Sequence, residues 1–194
     1  MYPTSLNDRY LDEAVKAVEN GDIIIYPTDS LYAMGCDALS NTAIEKLCKV
    51  KGVNPAKQTL SVVCDGLSMA SEYARIDNEA FRILRANLPG PFTFILPAST
   101  TLPKVFKGRK EVGIRIPDNP VATALAERLG HPLLSTSIPQ SEDGMDAQAI
   151  AHIYENTAAL LIDAGESDGI PSTVVDLTDS RSPEIIREGK GELK

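Results

Sequence analysis

Hydrophobic positions recur along this chain with two different periods, and the switches between them predict its elements. Over residues 6–20, Leu11, Val15 and Val18 keep helical spacing, with Ser5 placed to cap the helix and Gly21 to end it. Residues 23–26 run apolar without polar alternation, as in a strand buried on both faces, and Pro27 stops the ladder. A second helix is predicted over residues 41–50 with Ile44, Leu47 and Cys48 on one face, followed by a strand over residues 59–64 and the start of a helix at residues 66–70. Residues 77–87 read as a helix that turns Phe81, Leu84 and Leu88 inward and stops at Pro89-Gly90-Pro91. Strands follow over residues 92–97 and 112–116, with a basic loop between them. Asn119 and Pro120 open a helix as cap and first residue, and Gly130 closes it. Residues 132–136 read as a strand and 146–155 as a helix, and strands at 160–163, 173–177 and 184–187 complete the pattern. Strands and helices alternate early and strands crowd late, so the fold class expected is α/β, a twisted mixed parallel/antiparallel sheet with flanking helices. No repeat, heptad or linker divides the chain, which predicts one domain over residues 1–194, with residues 140–146 as a mobile loop.

Composition narrows this picture. The 194 residues are 43% hydrophobic and 24% charged, ordinary globular values that exclude disorder as the main state. The apolar runs at residues 23–25 and 158–162 are strand-sized and far short of a bilayer span, so no membrane partner is expected. The first residues, Met-Tyr-Pro-Thr-Ser, have neither a basic flank nor an apolar stretch of secretory type. Three cysteines, an odd number without metal spacing, fit reduced thiols, and the expected location is cytoplasmic. Two histidines, His131 and His152, argue against a zinc enzyme, and no metal ligands are assigned.

Charge is unevenly spread. The chain carries 19 Lys+Arg against 27 Asp+Glu, a net charge of −8, which argues against broad, sequence-blind coating of nucleic acid. Residues 41–64 nevertheless hold Lys46, Lys49, Lys51 and Lys57 against Glu45, a local +3. Residues 104–115 hold Lys104, Lys107, Arg109, Lys110 and Arg115 against Glu111, a local +4, which leaves the rest at −15. Two cationic patches on an acidic background suit a compact polyanion, although surface lysines also cluster by chance.

Four segments carry candidate chemistry. After the strand at residues 23–26, Thr28, Asp29, Ser30 and Tyr32 crowd a loop where open α/β sheets place ligands, and a simple Ser/Thr turn would also account for them. Lys49 and Lys51 bring two ammonium groups to a helix end, which either hold an anion or answer the helix dipole. Ser135, Thr136 and Ser137 after one strand, and Ser172 before another, let backbone approach a phosphate or ribose while hydroxyls donate. Arg115 lies on an apolar strand and Arg187 ends another; a buried arginine needs a partner, either an aspartate such as Asp118 or Asp176, or a ligand carboxylate or phosphate held bidentately. Neither a P-loop nor a G-x-G-x-x-G fingerprint is present, and residues 66–70 lack the second glycine of a nucleophile elbow.

The order of the segments YPTDSLYAMG (26–35), KVK (49–51), PGPFTFILPA (89–98), VGIRIPDNP (112–120), LLSTS (133–137), STVVDLT (172–178) and IIREG (185–189) resembles the YrdC-like domain family, which includes threonylcarbamoyl-AMP synthases. The likeness spans nearly the whole chain and is nearest to the family's YciO branch. It implies a mixed sheet with a large basic concave face. It further implies synthesis of threonylcarbamoyl-AMP and pyrophosphate from L-threonine, bicarbonate and ATP with Mg²⁺, a step toward t6A in tRNA. By position, the resemblance puts Thr28 and Tyr32 at a threonine pocket, and Lys49 and Lys51 at the family's K-x-R facing bicarbonate and the triphosphate. It puts Lys57 in a phosphate loop, and Arg115, Ser135, Ser137, Ser172 and Arg187 on the nucleotide side. The chain departs from the family at Lys51, which lacks the planar guanidinium fork, and at Ile138-Pro139, which replaces Ala-Asn. It departs again at Ala33 in place of Gly and at Asn119 in place of His. Loss of the amide and gain of a stiff proline predict a nucleotide held less firmly, and weak synthase activity. The alternative is a non-catalytic module that grips tRNA or double-stranded RNA with the same basic surface, including Lys104, Lys107, Arg109 and Lys110. Low aromatic content (5%, no Trp) makes single-strand stacking the poorer version of that alternative. Oligomeric state is left open.

Overall fold

The computed structural model describes residues 8–54, 60–102, 110–138 and 146–194. Lys57, the basic cluster Lys104, Lys107 and Arg109, Pro139, the Ser5 cap and nearly all of the loop expected at residues 140–146 lie outside them. In chain order the elements are α1 (Asp8–Glu19), β1 (Ile24–Tyr26), β2 (Ala33–Asp37), α2 (Asn41–Lys51), β3 (Ser61–Val63), α3 (Leu67–Tyr73), α4 (Asn78–Asn87) and β4 (Phe92–Pro97). They continue with β5 (Glu111–Arg115), α5 (Pro120–Leu129), β6 (Leu133–Ser137), α6 (Ala147–Ile153), β7 (Leu160–Leu161), β8 (Thr173–Asp176) and β9 (Glu184–Arg187).

The strands form one sheet in the order β7-β1-β2-β6-β3-β5-β4-β8-β9. Three neighbouring pairs, β1/β7, β3/β5 and β4/β8, are parallel, and the others are antiparallel. The mixed sheet with flanking helices expected from the pattern is therefore present.

Local chemistry accounts for the helix ends. Ser40 Oγ accepts from Ala43 N at 3.3 Å to open α2, and Gly52, at φ +63°, closes it in the left-handed region that favours glycine. Asp77 accepts from Ala80 N at 2.8 Å to open α4. Asn119 Oδ1 accepts from Val121 N at 3.0 Å and Ala122 N at 3.2 Å, with Pro120 in the first helical turn of α5. Helix α1 packs on β1, β2 and α5 through Leu11, Ala14 and Val18, while α2 buries Ile44, Leu47 and Cys48 near β2. Ile23, Ile24, Ile25, Tyr26, Met34 and Phe94 are wholly enclosed, each contributing roughly 1.5–3 kcal/mol by burial.

Three expectations are corrected. The loop after β1 ends at Tyr32, because a strand that the pattern does not predict, β2, begins at Ala33 and lies between β1 and β6. Its residues, Ala-Met-Gly-Cys-Asp, have little intrinsic strand preference, and its place in the sheet comes from burial between two neighbours. Ser135 and Thr136 lie within the strand expected over residues 132–136, and the correction is to Ser137, which ends that strand, β6, instead of following it; the three pair with Gly35, Met34 and Ala33. Phe81 is exposed rather than inward: the buried face of α4 is Ala80, Leu84 and Asn87, and Phe81 stands one step around the helix from it.

Candidate functional site

A cavity of about 370 Å³ opens where the ends of α2 and β6 meet β3, β4, β5, β8 and β9. Its apolar wall is Leu47, Val53, Leu60, Ile95, Leu134 and Val174. Its polar wall is six hydroxyl side chains, Ser61, Thr93, Ser135, Thr136, Ser137 and Ser172, and two guanidinium groups, Arg115 and Arg187. Among the described residues, no carboxylate lines it.

The two arginines come from distant strands and are held differently. Arg115 ends β5 with its side chain 4% exposed, and its Nη2 donates to Asp29 Oδ1 at 3.0 Å and to Ser30 Oγ at 3.1 Å. Asp29, also buried, accepts from Asp118 N through its other oxygen at 2.8 Å. The buried partner of Arg115 is thus Asp29, neither Asp118 nor Asp176, and Asp118 contributes only its backbone. Arg115 Nε is buried without any hydrogen-bond partner. Arg187 ends the solvent-facing strand β9, yet its guanidinium turns inward and donates to Ser172 O from Nε (3.2 Å) and Nη2 (2.7 Å) and to Ser172 Oγ (3.3 Å). Thr93 Oγ1 lies 3.1 Å from the same Ser172 hydroxyl. Burial, and then the positive charge of Arg115, hold Arg187 below the usual guanidinium range. Two guanidinium groups lining one cavity, with no carboxylate among its described lining residues, favour an anion there.

Lys51, the last residue of α2, donates from Nζ to Ser137 O at 2.8 Å, and burial pushes its ammonium down. Lys49 lies exposed on the same helix and does not line this cavity, because residues two apart on a helix point to different sides. Tyr26 Oη donates to Ser135 Oγ at 2.8 Å, which leaves the Ser135 proton to donate elsewhere; burial pushes the Tyr26 phenol up to about 12.

Thr28 and Tyr32 lie elsewhere, in a smaller pocket of about 190 Å³ that also includes Asp29, Ser30, Glu166, Ser167, Asp168 and Lys190. Thr28 Oγ1 donates to Leu31 O at 2.6 Å and sits 3.2 Å from Ser30 Oγ, so the Ser/Thr turn does form. Tyr32 Oη donates to Gly165 O at 2.7 Å and accepts from Ala164 N at 2.9 Å, fixing the segment that closes this pocket. Lys190 and Asp168 form an ion pair on its far side.

Of the residues singled out in the sequence, the fold gathers Arg115, Ser135, Ser137, Ser172 and Arg187 around one cavity, ties Lys51 to the backbone of Ser137 on its wall, and puts Thr28 and Tyr32 in a second pocket. Sequence reasoning missed Thr93, a polar residue inside the apolar run Phe-Thr-Phe-Ile-Leu, where broken alternation was the available signal. It also missed Ser61, opposite Gly113 in a long-range pair that no local pattern announces, and Lys190.

The model of the Sua5/YciO/YrdC family, described as telomere recombination, matches residues 16–189. The chain belongs to the Sua5/YciO/YrdC family. The YciO protein of Escherichia coli strain K12 is 39% identical over 199 residues, covering 100% of this chain and 96% of the relative. The crystal structure of E. coli YciO superposes with a TM-score of 0.89, over 99% of this chain and 95% of that one. A Haemophilus influenzae relative is 38% identical over 197 residues, 98% of this chain and 94% of its own length. The crystal structure of P. abyssi Sua5 complexed with L-threonine matches at 28% identity and a TM-score of 0.85, over 95% of this chain and 55% of that larger one. Among the described residues, no helix is long and apolar enough to cross a membrane.

Proposed function

We propose that the larger cavity binds the phosphates of ATP, that the smaller pocket takes an amino acid of the threonine class, and that the protein joins the two as a threonylcarbamoyl-AMP synthase. The observation that carries this reading is the meeting of Arg115 and Arg187 in a cavity rich in hydroxyls, one guanidinium still carrying an unpartnered Nε. The apolar wall of Leu47, Val53, Leu134 and Val174 suits a base or ribose face beside the phosphates. The threonine complex of P. abyssi Sua5 supports the choice of amino acid.

In the proposed reaction the threonine amine attacks bicarbonate, a nitrogen–carbon bond forms and water leaves, giving an N-carboxylate. An oxygen of that carboxylate then bonds to the α-phosphorus of ATP, and the bond to the departing pyrophosphate breaks. Both partners are anions, so neutralising and aligning them does most of the work, and a site without histidine suffices. Arg187 and Arg115 hold the phosphates, the hydroxyls of Ser135, Ser137 and Ser172 orient them, and Lys51 adds a cation at the rim. Among the described residues no carboxylate lines the cavity and no His/Cys/Asp/Glu cluster could hold a metal, so Mg²⁺ enters this reading as part of the MgATP substrate.

Purified protein given MgATP, L-threonine and bicarbonate releases pyrophosphate only when all three are present, and Arg187→Ala lowers that rate by about 100-fold, a charge-assisted contact being worth roughly 1.5–3 kcal/mol. Release that ignores threonine and bicarbonate, or none at high enzyme concentration, overturns the reading.

A further inference from the structure

Behind the wall of the larger cavity stands a side chain that does not line it. Tyr26 is wholly enclosed, and its ring passes close over Gly35 to reach β6, where its Oη donates to Ser135 Oγ at 2.8 Å. Burial pushes the phenol up to about 12, so it stays protonated, and a donor, throughout the neutral range. A serine hydroxyl has one proton and two lone pairs, so once Ser135 accepts from Tyr26 its own proton needs another acceptor. Among the described residues nothing takes that proton. Ser172 differs: its Oγ accepts from Arg187 Nη2 and lies 3.1 Å from Thr93 Oγ1, a pair that can satisfy itself. Ser135 lines the cavity, and β6 is paired there on both sides, with Gly35 and with Ser61, so the backbone beneath the hydroxyl is held.

We propose that Tyr26 is a positioning residue: from inside the core it fixes the Ser135 hydroxyl as a donor aimed at an acceptor oxygen of the phosphate-bearing ligand. This rests on the phosphate reading of the larger cavity and adds what sets the polarity of its wall. A hydroxyl that accepts a hydrogen bond is also polarised toward giving its own proton, and more so where water is excluded. The ligand atom opposite Ser135 is therefore an acceptor, as a phosphate oxygen is, and a group with only protons to give is refused there. Without the phenol, Ser135 is free to turn and to accept, and its preference for an anion falls. Tyr26 touches neither ligand nor reacting atoms and acts only through Ser135.

The test is a double-mutant cycle on MgATP binding, read by titration calorimetry, with thermal unfolding followed on the same preparations. Tyr26→Phe keeps the ring and removes the donor, and it raises the Kd of MgATP about fivefold, the size of one ordinary hydrogen bond. Ser135→Ala raises it by about five- to tenfold, and the double variant binds no worse than Ser135→Ala alone, because the phenol has no route to the ligand except Ser135. A purely structural Tyr26 moves only the unfolding temperature: a Tyr26→Phe variant that is less stable yet binds MgATP like wild type overturns the proposal and leaves the nucleotide reading intact. So do losses that multiply in the double variant. If Tyr26→Phe does not fold, the Ser135 variants decide: Ser135→Ala weakens MgATP, Ser135→Thr, which keeps both the acceptor and the proton, recovers most of the loss, and equal binding by wild type and Ser135→Ala overturns the proposal. Absence of any MgATP binding to wild type overturns both the proposal and the nucleotide reading.

Discussion

A Cβ on Gly35 would lie 2.6 Å from Cε1 of the wholly buried Tyr26 ring, and 3.3 Å from Leu133. The missing side chain is what lets Tyr26 reach across β2 from β1 and bond Ser135 on β6, so one residue sets the floor of the larger cavity. Gly35→Val forces that ring aside in a core that cannot give; the expected loss is at least ~2 kcal/mol, seen as a Tm lowered by ~4–8 °C in thermal unfolding. An unchanged Tm contradicts this account. The same residue explains why β2 escaped the hydrophobic pattern: glycine and alanine carry no strand preference of their own, and the reason for them lies in a ring nine residues away. Arg115, by contrast, was legible as a charged residue on an apolar strand that needs a partner, while the identity of that partner was not. Asp29 is 86 residues distant in sequence, and only chain closure brings it within 3.0 Å.

At the scale of elements, the caps were readable and their tertiary partners were not. Asp77 opens α4, and its second oxygen accepts from Ser180 Oγ at 2.7 Å, which ties the β8–β9 connection to the helix. The Ala80 N–H and then the Ser180 hydroxyl hold the Asp77 carboxylate below the usual range. A depressed folded-state pKa stabilises the fold fully above the unfolded value of about 3.9 and loses that contribution as pH falls through the folded value. Thermal unfolding followed from pH 6 down to pH 2 therefore falls less steeply below about pH 4 in Asp77→Asn than in wild type, and parallel curves contradict the assignment. Helix α2 makes the complementary point. Its sequence offers Lys49 and Lys51 as a pair, but helical geometry turns only Lys51 to Ser137 and leaves Lys49 in solvent.

At the scale of the whole molecule, the segment after β9 returns across the sheet and holds Arg187 in place. Lys190 N donates to Pro171 O at 2.9 Å, and Thr173 Oγ1 donates to Gly191 O at 2.6 Å and accepts from Gly191 N at 3.0 Å. A Cβ on Gly189 would lie 2.3 Å from Pro171 O, and one on Gly191 would lie 2.5 Å from the Phe92 ring, so this return passes too close to the sheet for side chains there. Both pockets depend on it, since Arg187 lies before these glycines and Lys190 between them. Gly191→Val lifts the segment from Phe92, and MgATP binding weakens about tenfold with a lowered Tm, read by calorimetry and thermal unfolding on one preparation. A variant that unfolds more readily yet binds MgATP like wild type when folded would falsify the link to Arg187.

The sequence by itself determined the helices and every described strand except β2, because periodicity, caps and breakers act within a few residues of one another. It also supplied most of the polar groups of the larger cavity, since a serine or arginine where an apolar residue belongs is visible locally. Only the tertiary structure decided that Arg115 and Arg187 share a cavity, that Thr28 and Tyr32 belong to a separate pocket, and that Asp29 stands between the two. Those facts depend on strand order and register, which are fixed by burial and pairing between residues far apart in the chain, and no local pattern encodes them.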